Sequence, residues 1–336
     1  NIGGMCMAAI GGSSCVAILS TMSCEVAQMR MIVASQAFRT KSGGRIDRSE
    51  ELTFRFNDKS YKGLAGDTLA SALIANGVSI IGRSFKYHRP RGIMSAGAEE
   101  PNAFVQIVGD EEDPNILATT LPLKEGLEAR SVNARSSTTF DPGQLTNLLH
   151  RFIPSGFYYK TFMWPRNRWD WYGRFIRKVA GWGTAPKQAT GGRYEHRYHH
   201  CDVLVIGAGP AGLIAALGAA RSGARVLLVD DQTEPGGYLL GSSAEINNKP
   251  ALSWVSKTVS ELDAFPDVTR LREASATGYY DQNFVTVLER RPDKAWVRER
   301  LWKVRAKRIV LATGATERPI TFANNDRPGV MLTSAA

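Results

Sequence analysis

Between two apolar segments of this chain lies G-A-G-P-A-G, Gly207–Gly212, whose glycines stand at the spacing G-x-G-x-x-G. Cys201–Ile206 (C-D-V-L-V-I) predicts a buried strand, and Pro210–Arg221 (P-A-G-L-I-A-A-L-G-A-A-R) predicts a helix. The glycines divide the work. Gly207 permits a tight turn, Gly209 lets a pyrophosphate approach the backbone, and Gly212 lets helix and strand pack closely. The helix N-terminus adds unpaired N–H groups and a partial positive charge. Arg225–Val229 (R-V-L-L-V) predicts a second strand ending in Asp230, 23 residues after Gly207, where a ribose hydroxyl ligand is expected. A glycine turn alone would suit an α/β domain that binds nothing. Strand, turn, helix and an acid-ended second strand together specify a dinucleotide-binding βαβ unit.

Further along, Lys307–Leu311 (K-R-I-V-L) predicts a short strand that runs into A-T-G, Ala312–Gly314. A strand ending in A-T-G closes the first half of the nucleotide domain in two-dinucleotide flavoprotein reductases. The pair Gly236–Gly237 fits the same group's glycines near the pyrophosphate. The candidate cofactor contacts are therefore Gly207, Gly209, Pro210, Ala211, Gly212, Asp230 with neighbouring Asp231, Gly237, Thr313 and Gly314. The motifs alone make FAD the default cofactor, with NAD as the alternative. No C-x-x-C stands beside the glycine loop, which excludes thioredoxin-reductase-like disulfide chemistry, and no catalytic constellation is found. His196, His199 and His200 have no Cys or carboxylate to complete a tetrahedral set, so no metal site is expected.

The 336 residues allow two or three domains, and 43% hydrophobic with 22% charged residues can bury real cores. The net charge of +10 gathers in the middle, in Lys160–Lys187 and Arg193–Arg197, among aromatics from Phe157 to Tyr172. Basic and aromatic residues interleaved in this way can stack nucleobases. No nucleic-acid motif accompanies them, so a subunit-docking or partly buried surface is expected instead. Cys6, Cys15 and Cys24 crowd the start and only Cys201 lies in the body, which suits a reducing cytoplasm. Cys201, opening a strand, reads as a small hydrophobe.

Residues 1–41 form an atypical leader. Its apolar run is too broken by Gly and Ser to span a membrane, and no basic residues precede it as in a signal peptide. It is expected to be upstream sequence, with translation starting at Met29 or Met31. Residues 42–120 form a first domain. Leu52–Asn57 predicts a strand, Asp58–Ser60 a turn, Tyr61–Leu64 a return strand, and Thr68–Asn76 a helix with Asp67 as N-cap and Gly77 at its end. Hairpin then helix is how a ferredoxin-like β-grasp domain begins. Plant-type 2Fe–2S domains place C-x4-C-x2-C soon after this helix. Here Arg83–Gly92 reads R-S-F-K-Y-H-R-P-R-G and contains no Cys. Lys86, His88, Arg89 and Arg91 are expected in a solvated or interface loop. Residues 121–200 read as a connector, with short helices at Asp141–Phe152 and Trp169–Ala180 and a Gly-rich linker at Gly181–Arg193. Residues 201–336 read as the nucleotide domain, with a helix at Ala251–Leu262 and strands at Val268–Leu271 and Phe284–Leu288. That domain is expected to be incomplete and the chain a fragment. The fold class is thus α+β then α/β: a cluster-less ferredoxin-like β-grasp domain followed by a glutathione-reductase-like Rossmann domain of the two-dinucleotide type.

Longer strings carry a family resemblance. G-R-S-F-K-Y-H-R-P-R-G-I (Gly82–Ile93), E-E-P-N-A (Glu99–Ala103) and G-F-Y-Y-K-T-F-M-W-P (Gly156–Pro165) resemble the alpha subunits of heterotetrameric sarcosine oxidases. So do Arg193–Leu213, A-T-G-A-T-E-R-P (Ala312–Pro319) and Arg327–Leu332. The resemblance covers roughly Ser42 to Ala336. It implies a cytoplasmic enzyme of one-carbon metabolism that demethylates sarcosine with oxygen to glycine and hydrogen peroxide, tetrahydrofolate capturing the carbon as methylenetetrahydrofolate. It implies beta, gamma and delta partner subunits, with FAD and the amine-oxidising site on beta and FMN at the alpha–beta boundary. It implies NAD in the alpha subunit's dinucleotide fold, and folate handled by a C-terminal region absent here. Over NAD against FAD the resemblance and the bare motif disagree, and the resemblance is the more specific. Matched residue by residue, Gly207, Gly209 and Gly212 face the pyrophosphate and Asp230 the ribose. The chain alone is expected to show no oxidase activity. Competing readings are a subunit of an opine or hydrogen-cyanide-forming dehydrogenase, which often keeps cluster cysteines, and a non-catalytic docking subunit.

Overall fold

Asn57 and Asp58 both adopt left-handed conformations, with φ of 49° and 64°. Asn and Asp tolerate this region because their short polar side chains bond locally. The result is a two-residue turn that folds β1 (Asp47–Phe56) onto β2 (Lys59–Ala65), with Phe56 opposite Lys59. The turn thus sits one residue earlier than the sequence suggests, and the return strand begins at Lys59. The computed structural model describes residues 36–109, 112–134, 137–154, 156–157, 161–187, 192–290 and 297–336. The leader to residue 35, with Cys6, Cys15, Cys24, Met29 and Met31, lies outside the described residues, as do Tyr158, Tyr159 and Lys160. The chain divides into two units. One comprises Asn1–Gln188 with Glu317–Ala336, the other Ala189–Thr316.

In the first unit the hairpin leads into α1 (Leu69–Ala75). Thr68, not Asp67, caps it: Ser71 N–H donates to Thr68 Oγ1 at 3.2 Å and Thr68 N–H to Ser71 Oγ at 3.0 Å. Asp67 is committed elsewhere. Its carboxylate accepts from Leu64 N–H at 2.9 Å, Ser71 Oγ at 2.8 Å and Arg39 Nη2 at 2.5 Å. Gly77, at φ 75°, follows the C-cap Asn76 and stops the helix. Two short strands, β3 (Gly82–Arg83) and β4 (Pro90–Arg91), form a hairpin after it. Then come β5 (Phe104–Val108), β6 (Asp113–Leu117) and β7 (Glu128–Ser131). The sheet order is β2-β1-β7-β5-β6, with β1 and β7 parallel. One strand of the region that reads as a connector is therefore central to the first sheet. Phe54, Phe56, Leu69, Leu73 and Val105 fill the core between this sheet and α1. A 3-10 turn at Pro142–Leu149 and α2 (Trp169–Ala180) follow, close to their expected places. Residues 317–336, which the sequence groups with the nucleotide domain, belong to this unit; Leu332 N–H donates to Met94 O at 2.7 Å.

The second unit is built on β8 (Arg193–Ile206), α3 (Pro210–Arg221) and β9 (Val226–Val229). Short β10 (Glu245–Ile246) and β11 (Lys249–Pro250) precede α4 (Ala251–Asp263). Then follow β12 (Val268–Leu271), β13 (Ala274–Tyr280), β14 (Phe284–Arg290) and β15 (Val297–Leu311). The order is β12-β9-β8-β15-β14-β13, parallel from β12 to β15, with β14 and β13 antiparallel at one side. β8 is far longer than its apolar half predicts. Its polar half pairs with β15 from Arg193 opposite Val297 onward, so backbone pairing rather than side-chain burial makes those residues a strand. β9 is buried on both faces, as a central parallel strand must be. Leu227 and Val229 join Val287, Trp302 and Val304 on one side, and Val226 and Leu228 join Leu213, Ala216 and Leu262 on the other.

Candidate dinucleotide site

The parallel pair β8–β15 brings residues 207 and 312 side by side, and this creates the site. Gly207 turns the chain at φ 103°, its N–H donating to Val229 O at 2.7 Å. A Cβ there would lie 2.2 Å from Ala312 O. At Gly212 a Cβ would lie 1.8 Å from Gly207 O. Both glycines are required by the protein's own backbone. Gly209 is different. Its φ of −69° suits any residue, and the nearest atom to an added Cβ is Gly237 Cα at 4.0 Å. The space beside it is open, which is the cradle that a diphosphate needs and that a side chain would fill. Pro210 occupies the first position of α3, where its missing N–H costs nothing, and Ala211 is exposed beside it. The first-turn N–H groups that follow have no carbonyl within the helix to reach.

Gly236 and Gly237 flank this opening. Gly236 N–H donates to Ala208 O at 2.9 Å, and Gly237, at φ 52°, packs so close that its Cβ would lie 3.0 Å from Gly209 Cα. Asp230 ends β9. Its carboxylate accepts the Ala208 N–H through one oxygen and the Gln232 N–H at 2.9 Å through the other. Burial raises the Asp230 pKa above the ordinary carboxylate value, while these two N–H groups pull the other way. Asp230 therefore braces the glycine loop from the end of β9. Asp231 beside it is exposed and accepts from Gln232 Nε2 at 3.2 Å. Across the opening, Ala312 N–H donates to Ile206 O at 2.8 Å, and Thr313 and Gly314 follow exposed, Gly314 at φ 75° with nothing near its Cβ position. Ala208, whose N–H and C=O both bind, and the Ala312 carbonyl are not singled out by any side-chain motif.

Cys201 is buried in β8, and burial pushes its thiol up to about 11, which leaves it a packed hydrophobe. His199 lies edge-on to Trp302 with ring centroids 5.7 Å apart. His196 and His200 are exposed two and six residues along the same strand face as Tyr194.

His88 corrects the sequence reading. It is not in a solvated loop but fully buried, with Nδ1 at 2.8 Å from Asp141 Oδ2. Arg83 and Asp141 are also buried; the sequence assigns no role to Arg83 within Gly82–Ile93, and Asp141 reads only as the start of a helix.

Residues 49–134 match the family described as "2Fe-2S iron-sulfur cluster binding domain", and residues 201–334 match "Pyridine nucleotide-disulphide oxidoreductase". The first description does not fit the donors present: no Cys occurs between residues 49 and 134. Among the described residues no group of three or more His, Cys, Asp or Glu could hold a metal ion. Nor, among them, is any helix long and apolar enough to cross a membrane. The chain is 50% identical over 307 residues to sarcosine oxidase subunit alpha of Rhizobium meliloti (strain 1021), covering 89% of this chain and 31% of that subunit. It is 41% identical over 303 residues to the subunit alpha of Corynebacterium sp. (strain P-1), covering 87% of this chain and 26% of the relative. The chain thus spans about a third or less of the length of these relatives. In fold, L-proline dehydrogenase from P. horikoshii aligns with a TM-score of 0.53 at 23% identity, over 86% of this chain and 45% of that one. In this chain a unit matching the ferredoxin-type family is followed by one matching the pyridine-nucleotide family. Across 89% of its length, this chain is homologous to the alpha subunits of sarcosine oxidases.

Proposed function

We propose that the Ala189–Thr316 unit holds NAD and that the chain serves as the nucleotide-carrying part of a sarcosine oxidase alpha subunit. The observation that carries the reading is the 50% identity to an alpha subunit over 89% of the chain, glycine loop included. The diphosphate would lie beside Gly209 on the N-terminus of α3, near Pro210, Ala211 and Gly237. Asp230 and Asp231 would face the adenosine ribose and repel a 2′-phosphate, which favours NAD over NADP. Thr313 and Gly314 would approach the cofactor from the β15 side.

In this reading NAD, when bound, is not the hydride acceptor of the main reaction. Sarcosine is oxidised on a beta subunit that carries FAD, with FMN at its boundary with this chain. Gamma and delta subunits complete the assembly, and tetrahydrofolate is handled elsewhere in the alpha subunit. The enzyme is an oxidoreductase acting on a CH–NH donor with oxygen as acceptor. No sarcosine or folate site is expected in this chain, so it would generate no peroxide alone. The reading is tested by extracting nucleotide from the purified chain, identifying it by mass, and titrating the stripped protein with NAD, NADP and FAD by calorimetry. NAD should bind, and NADP more weakly. Retained FAD with no response to NAD would overturn the assignment in favour of the bare motif. Sarcosine-dependent peroxide from the chain alone would overturn the division of labour.

A further inference from the structure

In a plant-type ferredoxin domain the loop after the helix is fixed by cysteine bonds to the cluster. The corresponding segment here, Arg83–Gly92, has no cysteine, yet it is held from two sides. Inside, the buried Arg83 guanidinium donates to Thr138 O at 2.8 Å, Thr139 O at 3.1 Å, His88 O at 2.7 Å and Gln144 Oε1 at 2.9 Å. His88, at φ 50°, faces Asp141 Oδ2, whose other oxygen accepts the Gly143 N–H at 2.8 Å. The imidazole lies flat against Gly143, where an added Cβ would come within 2.6 Å of the ring. One guanidinium and one imidazole thus pin the loop to the segment 138–144.

On the other side the loop offers two arginines to one carboxylate. Arg89 Nη2 donates to Asp326 Oδ1 at 2.9 Å, and Arg91 pairs with the same carboxylate and donates to Asp326 O at 3.0 Å. All three side chains are more than two-thirds covered. Gly92 lies so near Pro328 that a Cβ would stand 3.0 Å from its Cα, and Met94 O accepts the Leu332 N–H.

We infer that this loop is an iron-free anchor: the Arg83–His88–Asp141 network replaces the cluster in holding it, and Arg89 and Arg91 grip Asp326 to fix the segment 324–335. The loop's ligand is a carboxylate of its own chain rather than a metal. This inference is independent of which nucleotide the second unit binds.

Hydrogen exchange read by mass spectrometry on the full chain tests it, together with iron and acid-labile sulfide analysis after cluster reconstitution. Asp326→Ala and Arg91→Ala should each speed exchange in 324–335 by about tenfold and leave 83–92 unchanged. The double variant should add little to either. Asp141→Asn should speed exchange in both segments. If Asp141→Asn does not fold, the Arg91 and Asp326 variants still decide the anchor. Wild-type exchange in 324–335 after Asp326→Ala, or effects of Asp141→Asn confined to residues 141–149, would overturn the inference. So would a cluster bound in stoichiometric amount.

Discussion

Two glycines three residues apart, Gly209 at the N-cap of α3 and Gly212 in its first turn, should answer the same substitution in opposite ways. Gly209→Ala places its methyl in the open space, 4.0 Å from the nearest atom, at a φ of −69° that alanine accepts. The free protein should lose nothing. Fewer conformations in the unfolded chain should stabilise it by about 0.4–1 kcal/mol, or roughly 1–4 °C in the midpoint of this unit. The methyl would, however, occupy the proposed diphosphate position and displace a bound diphosphate from the N–H groups of the first turn. Losing one charge-assisted hydrogen bond costs about 1.5–3 kcal/mol, roughly 10- to 100-fold in affinity. Gly212→Ala does the reverse. Its methyl meets Gly207 O at 1.8 Å, backbone that can yield only by moving α3 off β8. Overpacking of this kind costs about 1–3 kcal/mol, a fall of roughly 3–12 °C. Thermal unfolding of both variants without nucleotide, then calorimetric titration with NAD, separates the two effects. Full NAD affinity in Gly209→Ala would refute the placement of the diphosphate. An unfolding midpoint for Gly212→Ala at or above that of wild type would refute the packing argument.

Three further outcomes are expected. Cys201 should resist iodoacetamide in the native protein and react on unfolding, read on its own peptide by mass spectrometry. Its thiol is raised to about 11, above the unfolded value, so its contribution to stability is complete below the ordinary thiol pKa. That contribution is lost as pH rises through about 11, and Cys201→Ala should flatten this alkaline limb of the stability profile. Asp67→Ala should destabilise the first unit by about 3 kcal/mol in urea unfolding, because it strands Arg39 and the Leu64 N–H together. Trp302→Phe should cost about 1–3 kcal/mol, since Trp302 Nε1–H donates to buried Glu289 at 2.7 Å, and a cost near zero would refute a stabilising role for that hydrogen bond.

The sequence is most readable where side-chain pattern and backbone demand coincide. α3 runs from Pro210 to Arg221 as its apolar spacing predicts, and the roles of Gly207 and Gly212 follow from the spacing alone. Where pairing partners are distant, pattern says little. Arg193–His200 falls at the end of what reads as the connector, and it becomes strand because β15, about a hundred residues on, supplies the hydrogen bonds. The helix cap lies one residue later than the sequence suggests: Asp67 and Thr68 are both good caps, and the three-way use of the Asp67 carboxylate leaves Thr68 to cap the helix. His88 reads as a loop residue among basic neighbours. Its burial depends on Asp141, 53 positions away, which no local signal announces.

The contact between Gly207 and the Ala312 carbonyl has a consequence for the order in which the molecule is made. A ribosome delivers the glycine loop, its helix and the acidic end of β9 about 80 to 100 residues before Leu311, the end of the strand that roofs them. Until Leu311 has emerged and paired with Ile206, β8 lacks its neighbour on one side and the loop lacks its lid. Pairing over so long a stretch of chain is slow relative to local folding. The nascent protein therefore carries a finished fingerprint in its sequence well before it can hold a nucleotide, and a pause in synthesis between residues 230 and 311 would leave an exposed parallel strand edge waiting for a partner.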